Sequence, residues 1–294
     1  MSFEDHWKEW LGTIQVKDIE DSNFYVLKVR DSDNPQILDR ENLELIEDLR
    51  LFYQALLIAV PYISHSKVTI LSGADNYGNI EIRRKISISE AYSPIGCIGK
   101  TLNRKTIQVI LEIVDSLVKL RVTNEYQNRR IWRILNAYTT GMQSKANENR
   151  LHQFVRCIEG FVLPRQGSST RDMKHRTKLF LGHGFEDRID RIYKLRSAIE
   201  HLHDPYKEIQ EKDETEKRMV FGKDAYEAEI IARYCMKNVL LNNTILDYLQ
   251  NDTMSEFWSL PEREREYIWG EKLNMNEVHA DSQYNVARTQ ITGR

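Results

Sequence analysis

The chain has 294 residues, 42 basic and 44 acidic side chains and a net charge of −2, which is length enough for two domains with cores that need no staples. Its three cysteines, Cys97, Cys157 and Cys235, lie far apart and outside any C-x-x-C arrangement, so they indicate neither a disulfide framework nor a zinc site and favour a reducing, cytoplasmic location. The acidic opening MSFEDHWKEW lacks the basic and apolar regions of a secretory signal, and the longest apolar run, LFYQALLIAVPYI, contains Gln54 and Pro61 and falls short of the ~20 residues of a membrane span, so no membrane partner is expected.

In chain order, FYVLKV (Phe24 to Val29), KVTILS (Lys67 to Ser72) and NIEIRRKISI (Asn79 to Ile88) are rich in β-branched residues and predict strands, the last two joined as a hairpin through GADNYGN. Between the first two, RENLELIEDLRLFYQALLIAV repeats apolar residues at three- and four-residue steps, Leu43, Ile46, Leu49, Tyr53, Leu56, Leu57 and Val60, and predicts a helix. Residues 1–103 are therefore expected to form an α+β domain. They hold no phosphate-cradling glycine loop and no metal-ligand spacing, and a sensing or regulatory role is expected of them.

From Arg104 the periodicity becomes helical. RKTIQVILEIVDSLVKLR places Ile107, Ile110, Leu111, Val114, Leu117 and Val118 on one face. A second helix is predicted around Tyr126 to Thr140, stopped near Gly141, and a third from Glu148 to Leu163, ahead of Pro164. PRQGSSTRDMKHRT reads as a polar loop. A fourth helix runs from Glu186 to His203, since Asp204 precedes Pro205 and is pushed out of the helical region. The charged loop KEIQEKDETEK leads to a long last helix, Asp224 to Leu249. The expected architecture is mostly α: a helical bundle over residues 104–255, preceded by the α+β domain and followed by an extended tail over 256–294.

The small net charge hides an asymmetry: residues 1–50 carry −7, residues 104–200 carry +9 and residues 201–294 carry −6. A basic block of that kind suits a polyanion, because phosphate contacts by Lys and Arg release counterions; a bundle with arginine on its solvated faces reads the same way.

At the end of the basic block stands YKLRSAIEHLHDP, Tyr193 to Pro205, with Arg196 five residues before His201 and seven before His203. Chance supplies about 0.65 Arg–His pairs at any one spacing in a chain with 24 arginines and eight histidines, so the setting rather than the spacing carries the signal. Ile189, Ile192, Arg196 and Ile199 lie within about 80° of one another on a helix, which places an arginine on an apolar face. The bland reading of Arg196 is a surface pair with Glu200 at i,i+4, worth a few tenths of a kcal/mol. His183, between Gly182 and Gly184, reads as a turn residue, and His175 as part of a basic loop.

With these residues the chain resembles the HEPN domains, most closely their ApeA-like branch. The resemblance covers roughly Asn124 to Asp252 and rests on RIWRILNAYTTG, RLHQFVRCIEGFVLP, IDRIYKLRSAIEH and EAEIIARYCMKNVLLNNTILDYL as the four helices of the bundle. The family signature of arginine, a polar residue and a histidine after four to six residues matches Arg196, Ser197 and His201, with serine where many members carry asparagine or aspartate. The acidic residue of the second helix matches Glu159, which read on its own is equally a partner for Arg156. The resemblance implies a metal-independent endoribonuclease with no cofactor, a toxin or antiviral defence effector that works as a homodimer with two motifs facing each other. RNA is the implied substrate, and an antitoxin or other regulatory protein a possible partner. Some members are inactive binding modules, so a non-catalytic module for nucleotide, RNA or protein is the alternative.

The residue types suit RNA cleavage independently of the resemblance. An imidazole, with an ordinary pKa of about 6.5, takes a proton from the 2′-hydroxyl or gives one to the leaving oxygen. A guanidinium neutralises charge on the phosphorane through a bidentate contact that lysine does not copy. On an unbroken helix His201 points about 140° away from Arg196 and His203 only about 20°. The family spacing admits both. The pattern of the ApeA-like branch favours His201, and then the helix must loosen near Ile199 or the two residues must meet across a dimer.

Overall fold

The computed structural model describes residues 5–22, 25–31, 40–60, 68–76, 79–88, 91, 102–122, 129–210 and 213–275. The chain is mostly helical, with a single two-stranded sheet among the described residues. It divides into two compact units, Met1–Leu51 with Ser66–Glu90, and Phe52–His65 with Ala91–Arg294. Among the described residues no helix is long and apolar enough to cross a membrane.

The first unit holds helices α1 (Asp5–Leu11) and α2 (Thr13–Glu20), the start of α3 (Arg40–Ala59), and a hairpin of β1 (Val68–Asn76) and β2 (Asn79–Ile88). The strands pair antiparallel from Val68 opposite Ile88 to Asn76 opposite Asn79, and a slip after Ser72 leaves Arg83 as an extra residue on β2. The hairpin is thus where its β-branched residues place it, with Lys67, Tyr77 and Gly78 outside the described residues. The expected strand at Phe24 to Val29 does not form: residues 25–31 have no regular structure, and Phe24 lies outside the described residues. Its alternate residues Tyr25, Leu27 and Val29 are all exposed. A period of two makes a strand only where a ladder partner and a buried face exist, and β1 and β2 satisfy each other.

The second unit takes in the end of α3 and then α4 (Arg104–Val122), α5 (Arg129–Gln143), α6 (Asn147–Val162), α7 (Ser169–Arg176), α8 (Lys178–Leu181), α9 (Glu186–Glu200), a 3-10 turn (Pro205–Glu208), α10 (Glu214–Leu241), α11 (Asn243–Gln250), α12 (Met254–Ser259) and α13 (Glu262–Trp269). Its core is α6, which packs on α5, α9 and α10. Leu151, Phe154, Val155, Ile158, Phe161 and Val162 of α6 are buried, at the steps expected of a helix with neighbours on several sides.

Several expectations are corrected in detail. The buried seam of α4 runs through Ile110, Ile113, Leu117 and Leu120, while Ile107 and Leu111 are exposed; Ser116 belongs to the seam because its hydroxyl donates to the Leu240 carbonyl at 2.6 Å. Gly141 does not stop α5, which continues to Gln143. It is a contact point, since a Cβ there would stand 2.7 Å from Phe154 Cε1. Tyr126, where that helix was expected to start, lies outside the described residues. The segment read as a polar loop contains α7 and is tied down by Asp172, buried and accepting from the Arg165 backbone N–H at 3.0 Å and its guanidinium at 2.8 Å. These bonds hold the Asp172 carboxyl well below the usual range.

The last long helix starts ten residues before Asp224, where Asp213 caps the amides of Thr215 and Glu216 at 2.8 and 3.1 Å, and it ends at Leu241. Asn242 then caps α11 by accepting from the Ile245 amide at 3.2 Å. The tail expected over 256–294 is not extended throughout. α12 and α13 bury Phe257, Trp258 and Trp269, and the Trp269 ring lies 4.3 Å from that of Phe180. Residues 276–294 lie outside the described residues.

The charge blocks meet inside this unit. α10 buries Asp224, Glu227 and Glu229. Asp224 accepts from Arg191 Nε at 2.8 Å, Glu227 stands 3.3 Å from Arg188, and Glu229 pairs with both Arg150 and Arg233. Buried carboxylates of this kind persist only when paired, and the pairs draw acidic side chains of the C-terminal block onto arginines of the basic one.

Candidate active site

α6 and α9 lie side by side, and the polar side chains between them form one cluster. On α6, His152, Arg156 and Glu159 follow at steps of four and three, so they share a face. On α9, Tyr193, Arg196 and Glu200 do the same. Arg196 Nη2 donates to Glu159 Oε2 at 3.1 Å and stands 3.9 Å from Glu200 Oε2. His152 Nε2 pairs with Glu200 Oε2. The carboxylate across the helix pair is thus closer to Arg196 than Glu200, the partner expected on its own helix.

The cluster is partly withdrawn from water: the side chains of Arg196 and Glu159 are 18% and 17% exposed. Arg196 Nε is buried with no hydrogen-bond partner among the described residues. Burial pushes the Glu159 carboxyl up from its ordinary range, against the pull of the Arg196 guanidinium, the Tyr193 hydroxyl and Arg156. The bond to His152 holds the Glu200 carboxyl below that range, helped by Arg196.

α9 ends at Glu200, three residues short of the expected His203. His201 is its cap, Leu202 takes the left-handed conformation at φ 58°, and the chain closes on itself: the Leu202 N–H donates to Ile199 O at 3.1 Å and the His203 N–H to Ala198 O at 2.8 Å. This is a Schellman ending with leucine where glycine is usual. It does loosen the helix after Ile199, as a role for His201 required, and it carries His203 off the helical path that would have aligned it with Arg196. The two imidazoles are exposed, with ring centroids 6.2 Å apart. Among the described residues Arg196 makes no hydrogen bond to either ring. Ser197 is half-buried, and its carbonyl accepts from the His201 amide at 3.1 Å.

The structure therefore brings Arg196 and Glu159 into contact and sets His201 and His203 together at the end of the same helix. His152 was not anticipated, although its spacing from Arg156 and Glu159 was visible as one helical face. Of the remaining candidates, His183 lies between two glycines of positive φ, as a turn residue should, and His175 lies on α7. Among the described residues no three His, Cys, Asp or Glu side chains are grouped so as to hold a metal ion. Cys157 and Cys235 are buried free thiols, and Cys97 lies outside the described residues. Compared with protein-family models, with curated proteins and with solved structures, the chain matches none.

Proposed function

We propose that the chain is an endoribonuclease of the HEPN type, a toxin or antiviral effector acting as a homodimer in the cytoplasm, with its helical unit as the catalytic bundle and its N-terminal unit as a regulator. The observation that carries this reading is the Schellman ending of α9, which presents two exposed imidazoles 6.2 Å apart one turn beyond a half-buried arginine held by Glu159. One imidazole takes the proton of a ribose 2′-hydroxyl as its oxygen bonds to the adjacent phosphorus. The P–O5′ bond breaks, the other imidazole protonates O5′, and the products are a 2′,3′-cyclic phosphate and a 5′-hydroxyl. Arg196 supplies positive charge for the phosphorane oxygens, and Glu159 and Glu200 hold its side chain in place. The groups named account for base, acid and charge stabilisation.

The alternative, a non-catalytic module that binds nucleotide, RNA or a protein, draws on a different observation: Arg196 already has two carboxylate neighbours, so a polyanion must compete with them. Incubating the full chain with RNA in excess chelator decides between the two. Cleavage to 2′,3′-cyclic ends, no cleavage of DNA, and loss of cleavage in Arg196→Ala, His201→Ala and His203→Ala with RNA binding retained support the enzyme. If all three variants match the wild type, the nuclease reading fails. Loss in only one histidine variant names the essential imidazole.

A further inference from the structure

Six of the thirteen arginines of the basic block are engaged away from the α5 terminus. Arg150, Arg165, Arg188, Arg191 and Arg196 pair with carboxylates, and Arg176 donates to the carbonyls of Val162 and Leu163. Four others stand together. A cleft of about 370 Å³ opens beside α5 and α6, with Arg129, Arg130, Arg133 and Arg156 among its walls and Asp252 as the one carboxylate among the described residues.

The local sequence explains the cleft. Arg129, Arg130 and Arg133 fall on one side of the first turns of α5 at steps of three and four. α6 approaches α5 closely at Gly160, where a Cβ would stand 2.3 Å from Ile134 Cγ1, so Gly160 and the Ile134 side chain pack together in the cleft lining beside the arginines. Asp252 is taken up by Arg130, accepting from Nε at 3.0 Å and Nη2 at 2.7 Å, which fixes that guanidinium. Arg133 and Arg156 are exposed and have no carboxylate within ion-pair distance among the described residues. The two guanidinium groups of Arg133 and Arg156 on a concave surface suit a ligand with phosphate oxygens.

Arg156 also belongs to the other site: it lies on the α6 face of His152 and Glu159, and its charge acts on both carboxylates there, opposing the rise that burial gives Glu159 and adding to the lowering of Glu200 by His152 and Arg196. The arginine cleft and the Arg196 cluster therefore share a residue. We propose that the cleft is a phosphate subsite that holds the RNA backbone on one side of the scissile linkage, with Arg133 and Arg156 as its phosphate-binding side chains. The proposal rests on the ribonuclease reading and adds where the substrate lies.

The test uses the full chain and a fluorescent 2′-O-methyl oligoribonucleotide, which binds without being cleaved, followed by anisotropy over a range of salt. Arg133→Ala and Arg156→Ala are each expected to weaken binding several-fold and to make the slope of log affinity against log salt shallower by about 0.7, one single-strand phosphate contact. Arg171→Ala, an exposed arginine of α7 outside the cleft, serves as control and is expected to leave both unchanged. Affinity and slope unaltered in both cleft variants would overturn the subsite, even if natural RNA is cleaved. The expected losses with no cleavage of natural RNA would retain the subsite and retire the nuclease. ATP and inorganic pyrophosphate are added as competitors. Tight binding of ATP with none of the oligonucleotide would overturn the backbone assignment in favour of a mononucleotide site.

Discussion

The His203 amide donates to the Ala198 carbonyl at 2.8 Å, and this bond turns the chain out of α9 before the histidine can take its place on the helix. The reversal runs through Leu202, a side-chain-bearing residue at φ 58° that is 94% exposed. Leucine gains nothing there from burial to offset the left-handed conformation. Leu202→Gly is expected to stabilise the protein by up to about 1 kcal/mol, the left-handed penalty less the extra freedom of glycine in the unfolded chain. A denaturant midpoint that falls instead of rising would contradict this.

Glu159 provides a pH signature. Its carboxyl titrates above the ordinary 4.5 in the folded chain, chiefly because it is buried. The native state thus holds that proton more tightly than the unfolded state. This contribution to stability is fully present below 4.5 and is lost as pH rises through the raised value. Comparing Glu159→Gln with wild type in melts across the mildly acid range should show the variant gaining relative stability as pH rises. A constant difference between the two would mean that the carboxyl is not shifted by folding.

Gly160 tests the closeness of α5 and α6. Gly160→Ala places a methyl group inside the contact distance of the Ile134 side chain and is expected to cost about 1–3 kcal/mol. Ile134→Ala alone opens a cavity and costs about 2–5 kcal/mol. Because the added methyl fills part of that cavity, the double variant should lose clearly less than the sum of the two. Additive losses would place the strain of Gly160→Ala elsewhere.

A homodimer is expected at micromolar concentration, and specific activity should rise with protein concentration through the dimer's dissociation constant. Light scattering together with a cleavage assay checks both. Full activity from a monomer would show that the two imidazoles of one chain suffice.

Periodicity made the helices of the second unit legible, but it fails where an interaction across the chain decides. The face of α4 was misplaced because Ser116 counts as polar in any pattern, and its burial depends on the Leu240 carbonyl. Residues 164–177 look like a loop by composition, and their order depends on contacts composition does not show, among them the bidentate hold of Arg165 on Asp172 and the bonds of Arg176 to the Val162 and Leu163 carbonyls. Arg196 and Glu159 were both visible, one as an arginine among isoleucines and one through the resemblance. Their contact was not, since 37 residues separate them. His152 acquires meaning only beside Glu200, 48 residues away. The turn that sets His201 and His203 side by side runs through a left-handed leucine, which no propensity predicts.

The helices beyond residue 253 determine where the bundle can be cut. Trp258 Nε1 donates to the Phe161 carbonyl at 3.0 Å, the amides of Asn238 and Asn242 donate to the carbonyls of Trp269 and Ile268, and the Leu273 amide donates to Phe180 O at 2.7 Å. At the other border, the Tyr138 hydroxyl donates to the Leu57 carbonyl at 2.8 Å, within a helix that begins in the N-terminal unit. A fragment trimmed to 104–255, where periodicity draws the borders, would bare the ring of Phe180 and strand both asparagine amides. A piece that keeps these bonds has to include Leu57 and run at least to Leu273, so expressing the bundle alone means cutting through α3.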